Sequence, residues 1–229
     1  MKLSALLPAK DFTNAKQRLA PLLDVREREA LAEAMLRDVL RQVALARGLD
    51  AVYVVTGNDR VSAVASSLGA RVIREERETG ETEAVLFALG RMKRNGHRGA
   101  LVVPGDIPLI RSGDVELLVE QSPDCDECLP FALLTPSHDR MGTNALLLFP
   151  PDVLNLRFGY DSFTYHLGEI AAKGIAPRVL ENERIALDID EPKDLERFMA
   201  AASEGETYNL ALRLGMAGYR ENADRSGRL

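Results

Sequence analysis

Short apolar runs alternate with longer amphipathic stretches through the first half of the chain, and this alternation limits the fold more than any other feature. Residues 3–7, 51–55 and 100–103 are rich in Leu, Val and Ala and are too short for helices. Residues 26–47 carry apolar side chains at helical spacing and stop at Gly48. A chain in which strands and helices alternate is predicted to form a mostly parallel sheet with helices on both faces. In such a sheet, active residues are expected at the carboxyl ends of the strands.

The second half is less regular, and the whole pattern predicts a three-layer α/β fold with a mixed, mostly parallel sheet. We expect one domain over residues 1–203, then a C-terminal helix and flexible tail over 204–229. An apolar stripe on that last helix suggests a surface for a homodimer; it consists of Leu210, Leu212, Leu214 and Met216. Further strands are predicted at 71–73, 129–134, 145–149, 178–180 and 185–188, and further helices at 59–68, 83–93, 114–120, 162–173, 192–202 and 207–214.

Composition excludes several classes of protein. The chain has 229 residues, 46% of them apolar, which is enough for a full α/β core. A net charge of −6, few aromatic residues and no Trp argue against a nucleic-acid or anionic-membrane surface, but leave room for a local basic pocket. No run approaches the ~18 apolar residues of a membrane span, and the first residues do not resemble a signal peptide. We therefore expect a cytoplasmic protein that binds neither nucleic acid nor membrane.

The two cysteines, Cys125 and Cys128, form a single CxxC pair. One pair supplies at most half of a zinc site and no disulfide scaffold. His138 lies ten residues further on and could be a third ligand, but a solvated loop histidine is the more common outcome. We expect no metal role for this segment.

The strongest local signal for chemistry is the segment Val102-Val103-Pro104-Gly105-Asp106-Ile107-Pro108. A buried strand leads directly into Gly105 and a carboxylate, which places Asp106 at the strand end and facing the crevice. An aspartate that only satisfies turn amides is the structural alternative.

A second acidic element is Leu187-Asp188-Ile189-Asp190-Glu191-Pro192. In an extended segment, Asp188 and Asp190 point to the same side, so both can face one cation. Asp190 could instead be the N-cap of the helix that begins near Pro192. Together with Asp106, this element predicts a Mg²⁺ site, because magnesium takes one or two protein carboxylates beside substrate phosphates.

The loop after the first strand supplies cations, namely Lys10, Lys16 and Arg18. Such a loop can neutralise a triphosphate or a departing pyrophosphate, although an ordinary solvated basic loop is the alternative. It is not a Walker loop, and no GxGxxG follows any strand.

Two more motifs offer neutral donors. In Met141-Gly142-Thr143-Asn144, the glycine permits close approach of a ligand and Thr143 offers a hydroxyl. Gly159 precedes a helix that begins near Ser162, where free amides favour an anion. Asp161 or Ser162 could instead only cap that helix, and His166 is expected to be a structural rather than a catalytic histidine.

These motifs in order resemble the guanylyltransferase family of coenzyme F420 biosynthesis, CofC, also called FbiD. The resemblance spans about residues 3–200 and rests on PAK…AKQRLAPLL, PGDIPL, GTNALLL, FGYDSF…H and LDIDEPKDL. It implies a fold like that of nucleotide-diphospho-sugar transferases of the glycosyltransferase-A type. The implied reaction transfers GMP from GTP to a phosphorylated three-carbon acid, which is 2-phospholactate, phosphoenolpyruvate or 3-phosphoglycerate, and releases pyrophosphate.

The resemblance also implies roles for individual residues. Asp106 and an Asp of the LDID element, Asp188 or Asp190, hold magnesium. Where the family has a Gly-Leu-Asn-like motif, this chain has Thr79-Gly80-Glu81-Thr82-Glu83, in which Glu81 or Glu83 could accept hydrogen bonds from guanine. The implied catalytic residues are Asp106, Lys16 and Arg18; the nucleotide-binding residues are Lys10, Lys16, Arg18, Gly80, Thr82, Pro104 and Gly105; and the acid-binding residues are Thr143, Gly159 and Ser162.

The attacking group in this reaction is an acceptor phosphate, which is already largely anionic at neutral pH since its second pKa is about 6. No general base is required, which agrees with the lack of a nucleophile and base pair in the sequence. Three alternatives remain open: a nucleotidyltransferase for a sugar phosphate or molybdopterin-type acceptor, a glycosyltransferase, and a nucleotide-binding module without catalysis. The altered segment at residues 79–83 motivates the last of these.

Overall fold

A seven-stranded sheet organises the protein, in the order β3-β2-β1-β4-β6-β5-β7. The computed structural model describes residues 2–75, 80–123, 130–216 and 218. β6 runs antiparallel to both of its neighbours, and the other pairs are parallel, which confirms the predicted mixed, mostly parallel sheet. The strands are β1 (Leu3–Pro8), β2 (Val52–Thr56), β3 (Arg71–Arg74), β4 (Gly99–Val102), β5 (Phe131–Pro136), β6 (Thr143–Phe149) and β7 (Arg178–Val179).

Helices cover both faces of this sheet. Within the described ranges, no helix combines the length and apolar character that crossing a bilayer requires. Two short 3₁₀ turns, Phe12–Asn14 and Gln17–Leu19, follow β1. The helices are α1 (Val25–Leu45), α2 (Asp59–Ser67), α3 (Glu81–Arg94), α4 (Ser112–Glu120), α5 (Ser162–Ala172), α6 (Glu183–Ala186), α7 (Pro192–Ala201) and α8 (Glu206–Arg213).

The alternation of side chains along β1 separates two apolar cores. Leu3, Ala5 and Leu7 belong to the core that contains α1, α2, α4, α7 and α8, whereas Leu6 belongs to the core under α3 and α5. This follows from the two-residue period of a strand, and it confirms the predicted placement of helices on both faces.

The predicted strand at residues 185–188 is wrong. Residues Glu183–Ala186 form the helical turn α6 instead, because the Asn182 side chain accepts hydrogen bonds from the amides of Arg184 and Ile185 and so starts a turn. The segment that follows is extended but forms no ladder with the sheet. Its Ile189 amide donates to the Asp106 carbonyl oxygen at 3.0 Å, which holds this segment beside the end of β4.

The C-terminal helix α8 packs against α1 of the same chain. The carboxylate of Asp38 on α1 accepts hydrogen bonds from the Glu206 and Thr207 amides at the start of α8. In the stripe that suggested a homodimer, Met216 is buried and Leu210 and Leu214 are partly buried against the core, while Leu212 is exposed. This stripe therefore offers little exposed apolar surface to a second copy of the chain, and the homodimer stays a prediction. The domain division at residue 203 also stays a prediction.

Candidate active site

Three chain segments that are distant in sequence meet at one edge of the sheet. β1 and β4 are parallel neighbours, so the loops that follow them lie side by side. β6 is antiparallel to β4, so its first residue, Thr143, begins at the same edge. Lys16 follows β1 and Asp106 follows β4, so both candidate residues lie beyond the strand ends where the sequence predicted them, and their activity stays a prediction.

At the centre of this edge, one ammonium group joins two carboxylates. Lys16 Nζ lies 2.6 Å from Asp106 Oδ2 and 2.7 Å from Asp190 Oδ1. The lysine side chain is 9% exposed, so both ion pairs are shielded from water on the lysine side. Burial alone would lower the pKa of Lys16, but the two carboxylates outweigh it and raise that pKa, which keeps the amine charged.

The backbone of Lys16 is strained. Its φ of 53° lies in the left-handed region, which costs a residue with a side chain roughly 1–2 kcal/mol. Such strain is most often found where the surrounding structure holds a functional side chain in place. Here the conformation separates two short 3₁₀ turns and directs Lys16 between the two aspartates.

Acidic groups outnumber the cation at this point. Burial, followed by the charge of Asp106, raises the pKa of Asp188 to about 6. Burial and the same charge also raise the pKa of Glu81 to about 7, although Lys10 and Lys16 oppose the increase. Burial acts in the same direction on Asp190, but Lys16 overrides it and lowers that pKa. The cluster therefore carries a surplus of negative charge that a further cation would relieve.

Asn144 holds the acidic segment that follows α6. Its side-chain amide donates to the carbonyl oxygens of Ile185 and Ala186, and to Asp188 Oδ1 at 3.0 Å. Asp190 points to Lys16 instead and is not the N-cap of α7, a position that Glu191 occupies. The amides of Asp190 and Glu191 donate to the Asp194 carboxylate. The two aspartates predicted to share one cation thus have different immediate partners.

The donor set fits a hard divalent cation. Asp106 Oδ1 is buried and has no hydrogen-bond partner, while its Oδ2 binds Lys16. Magnesium takes carboxylate oxygens and completes its shell with water and phosphate oxygens. Within the described ranges, no three His, Cys, Asp or Glu side chains form a complete metal centre. The arrangement therefore suits an ion that is held partly by protein and partly by substrate phosphates.

Two cavities meet at the wall formed by Asp106 and Asp190. One has a volume of about 350 Å³ and is lined by the loop after β1, including Lys10 and Lys16, together with Gly105 and the α1 side chains Met35 and Leu36. The other has a volume of about 400 Å³. It is lined by three groups that the sequence assigned to the acid, Thr143, Gly159 and Ser162, and also by Arg18, Glu81, Pro104, His138 and Asp188.

The predicted nucleotide-binding residues divide between these cavities. Lys10 and Gly105 line the smaller cavity, whereas Arg18 and Pro104 line the larger one. Arg18 is largely exposed and forms an ion pair with Glu191 at 3.3 Å. A Cβ on Gly105 would lie 3.0 Å from Leu36, so a larger residue at this position would crowd α1.

The other two predicted nucleotide contacts lie at the start of α3. Gly80 is its N-cap with φ 133°, a conformation that favours glycine. The Thr82 hydroxyl accepts a hydrogen bond from the Phe158 amide at 3.0 Å. Thr82 thus holds the loop that carries Gly159, an interaction that sequence reasoning missed. Its contact with a nucleotide stays a prediction.

Part of the larger cavity is lined by neutral side chains on β6 and α5, among them Thr143 and Ser162. The Thr143 hydroxyl lies 3.0 Å from His166 Nδ1, and both residues are buried. The Ser162 amide donates to the Gly159 carbonyl oxygen, so this amide is not free for an anion as the sequence predicted. Asp161 is the N-cap residue of α5, as the alternative proposed, but its side chain makes no capping hydrogen bond.

The long-range contact of Asn144 could not be predicted from the sequence, whereas the exposure of His138 could. The sequence placed Asn144 only in a donor motif, and its hydrogen bond to Asp188 joins residues 44 positions apart. His138 is exposed, as expected, and its amide donates to the Ala186 carbonyl oxygen. Cys125, Cys128 and Thr79 lie outside the described residues.

Comparison with known proteins agrees with this geometry. The family model described as "Guanylyl transferase CofC like" matches residues 3–228. The chain belongs to the CofC-like guanylyl transferase family. The resemblance seen in the sequence motifs is thereby confirmed, and members of this family are enzymes.

Three curated relatives of this CofC-like chain are named guanylyltransferases, and their names differ in the phosphorylated acid. The phosphoenolpyruvate guanylyltransferase of Rubrobacter xylanophilus is 37% identical, over 88% of this chain and 95% of the relative. The 2-phospho-L-lactate guanylyltransferase of Methanothermobacter thermautotrophicus is 36% identical, over 85% and 83%. The 3-phospho-D-glycerate guanylyltransferase of Colwellia psychrerythraea is 34% identical, over 92% and 97%.

Solved structures confirm the predicted fold class. A structure from Desulfovibrio desulfuricans G20, described as a nucleotide-diphospho-sugar transferase, matches with a TM-score of 0.75 at 18% identity, over 96% of this chain and 98% of that one. A cytidylyltransferase from Leptospira borgpetersenii matches with a TM-score of 0.62 at 18% identity, over 95% of each chain.

Proposed function

We propose that this protein transfers GMP from GTP to a small phosphorylated three-carbon acid and releases pyrophosphate. The observation that carries the proposal is the common wall of Asp106 and Asp190, both bound by Lys16, at which a cavity lined by Lys10 and Lys16 meets a cavity that contains Thr143, Gly159 and Ser162. A nucleotide triphosphate and a separate acceptor need two adjoining pockets of this kind. The family match and the names of the relatives supply the nucleotide and the class of acceptor.

On this proposal, the nucleotide and the acceptor meet at the wall. Lys10, Lys16 and Arg18 neutralise the triphosphate and the pyrophosphate that leaves. Asp106 with Asp190 or Asp188 holds Mg²⁺, which when bound would screen the charge of the phosphates. The buried, unpartnered Asp106 Oδ1 and the surplus of carboxylates support this assignment.

The acceptor acid lies against Thr143, Gly159 and Ser162 in the larger cavity. Its phosphate oxygen attacks the α-phosphorus of GTP, and the bond from that phosphorus to the bridging oxygen of pyrophosphate breaks. The protein need not remove a proton, because the phosphate is already anionic at neutral pH. Positioning and charge neutralisation then supply most of the rate acceleration. The product is a diphosphate-linked compound of the kind that coenzyme F420 biosynthesis uses, and we place the enzyme in the cytoplasm.

The test is a grid of pyrophosphate-release assays with Mg²⁺. GTP, ATP, CTP and UTP are each paired with phosphoenolpyruvate, 2-phospholactate, 3-phosphoglycerate and a sugar 1-phosphate. We expect release with GTP and one of these acids. Release only with sugar phosphates would instead support the alternative acceptor class, and tight nucleotide binding without release from any pair would support a binding module.

A further inference from the structure

The hydrogen bonds of His166 fix which of its ring nitrogens carries the proton. His166 Nε2 lies 3.2 Å from the backbone nitrogen of Arg157, and a backbone N–H can only donate. Nε2 is therefore the acceptor in this contact and carries no hydrogen. In a neutral imidazole the single hydrogen must then be on Nδ1.

The hydrogen on Nδ1 determines the role of the Thr143 hydroxyl in the second contact of the ring. Nδ1 lies 3.0 Å from Thr143 Oγ1, so the Nδ1–H donates and the threonine oxygen accepts. The hydrogen of the Thr143 hydroxyl is not used by the histidine. Because Thr143 lines the larger cavity, that hydrogen is available to an anion there.

The surroundings keep the ring neutral and oriented. His166 is fully buried, and its burial, together with the nearby Arg157 charge, lowers its pKa to about 4. The rings of Phe158 and Tyr165 contact it edge-on, each with a centroid distance of 5.7 Å. The same histidine thus holds the Arg157 backbone, two residues before Gly159, and the hydroxyl of Thr143.

We propose that His166 is a positioning residue that directs the Thr143 hydroxyl, as a hydrogen-bond donor, onto an anionic oxygen of the acceptor acid. This inference rests on the proposed function for its ligand. With the histidine N–H bound to its oxygen, the Thr143 hydroxyl can donate its hydrogen to the acceptor acid, whereas a freely rotating hydroxyl could point that hydrogen elsewhere. It also gives a reason for a buried histidine that the transfer chemistry itself does not use.

The kinetic test compares two substitutions of nearly equal shape. His166→Asn keeps an N–H donor close to the position of Nδ1, and His166→Leu does not. We expect His166→Leu to raise the acceptor KM about tenfold while the GTP KM stays within twofold, and His166→Asn to stay within about threefold of wild type. If both variants behave alike, the histidine only fills volume and the proposal is wrong.

A double-mutant cycle tests whether the effect passes through Thr143. Thr143→Val removes the hydroxyl at constant shape, and Thr143→Ser keeps it as a control. In the Thr143→Val background, His166→Leu should change the acceptor KM less than twofold, because the hydroxyl it directs is gone. Independent, multiplying effects of the two substitutions would overturn the proposal.

A third measurement does not depend on turnover. The chain has three histidines, so ¹⁵N NMR of the labelled full chain can assign His166 by the signals that His166→Asn removes. We expect the neutral Nδ1–H tautomer at pH 7, and an Nε2–H tautomer or an imidazolium would disprove the assignment. If no acceptor is turned over, the proposed function fails, and the tautomer together with calorimetric binding of phosphoenolpyruvate still decides the role of His166.

Discussion

Among the described residues, the ion-pair cluster at Asp114 and the one at Lys16 differ in how far their charges and hydrogen bonds are satisfied. Asp114 on α4 is fully buried and accepts hydrogen bonds from Arg184, from Asn182 at 2.8 Å and from the Arg111 amide at 2.9 Å. Burial alone would raise its pKa, but Arg184 and Asn182 lower it. The charge of Asp114 is thus matched by its donors, as in a structural ion pair.

The cluster around Lys16 differs in its charge balance. One ammonium faces Asp106 and Asp190, with Asp188 and Glu81 near enough to feel their charges. The pKa values of the last two are raised, and one oxygen of Asp106 has no partner. The comparison separates a cluster whose hydrogen bonds are satisfied from one that keeps an unpartnered carboxylate oxygen, which is the feature that the proposed cation and phosphates require.

The largest expected effect comes from removing the charge of Asp106. Asp106→Asn should lower pyrophosphate release about 10³-fold, because the carboxylate proposed to hold the cation is lost while the shape is kept. The same substitution at Asp152, an exposed partner of Lys93, should leave turnover unchanged. Near wild-type release by Asp106→Asn would show that this cluster is as structural as the one around Asp114.

A smaller loss should follow replacement of the lysine. Lys16→Met should lower turnover about 10²-fold, since the triphosphate loses a buried positive charge. It should also leave Asp106 and Asp190 without a counter-ion, so adding Mg²⁺ should raise the melting temperature more in the variant than in wild type. Thermal unfolding with and without Mg²⁺ measures this difference, and Lys93→Met is the surface control. An equal Mg²⁺ effect in both proteins would argue against a shared cation position.

Substitution in the cluster around Asp114 should lower the free energy of unfolding and leave turnover nearly unchanged. Asp114→Ala should lower the free energy of unfolding by about 2 kcal/mol, because the buried carboxylate and its hydrogen bonds are lost. Turnover per folded molecule should change only a few fold. Urea unfolding and pyrophosphate release measure the two quantities, and a loss of turnover as large as that of Asp106→Asn would erase the distinction between the clusters.

The smallest expected effect is the dependence of Mg²⁺ affinity on pH. Asp188 and Glu81, with pKa values of about 6 and about 7, become protonated as pH falls through these values, and a divalent cation that binds there would displace those protons. Raised carboxyl pKa values mean that Mg²⁺ affinity increases as pH rises from 5.5 to 8, by about tenfold. Calorimetry in buffers of different ionisation enthalpy should detect proton release on binding, and Asp188→Asn should remove the part centred near pH 6. A pH-independent affinity would contradict the surplus of carboxylates.

Local patterns predicted much of the fold and the composition of the site. Alternating apolar runs and amphipathic stretches identified the mixed sheet, and the run from Val102 into Gly105 and Asp106 placed a carboxylate at a strand end. These features depend on neighbours within a few positions. The turn at Glu183–Ala186 was missed because Asn182 outweighs the apolar alternation of the residues after it.

The sequence by itself determined which residue types reach the carboxyl edge of the sheet: two aspartate elements, a basic loop and two donor motifs. The tertiary structure alone decided their partners. It placed Lys16 between Asp106 and Asp190, across 90 and 174 positions, and joined His166 to Thr143 across 23. Such contacts arise where strands that are far apart in the chain become neighbours in the sheet, and the period of a strand or helix carries no information about that pairing.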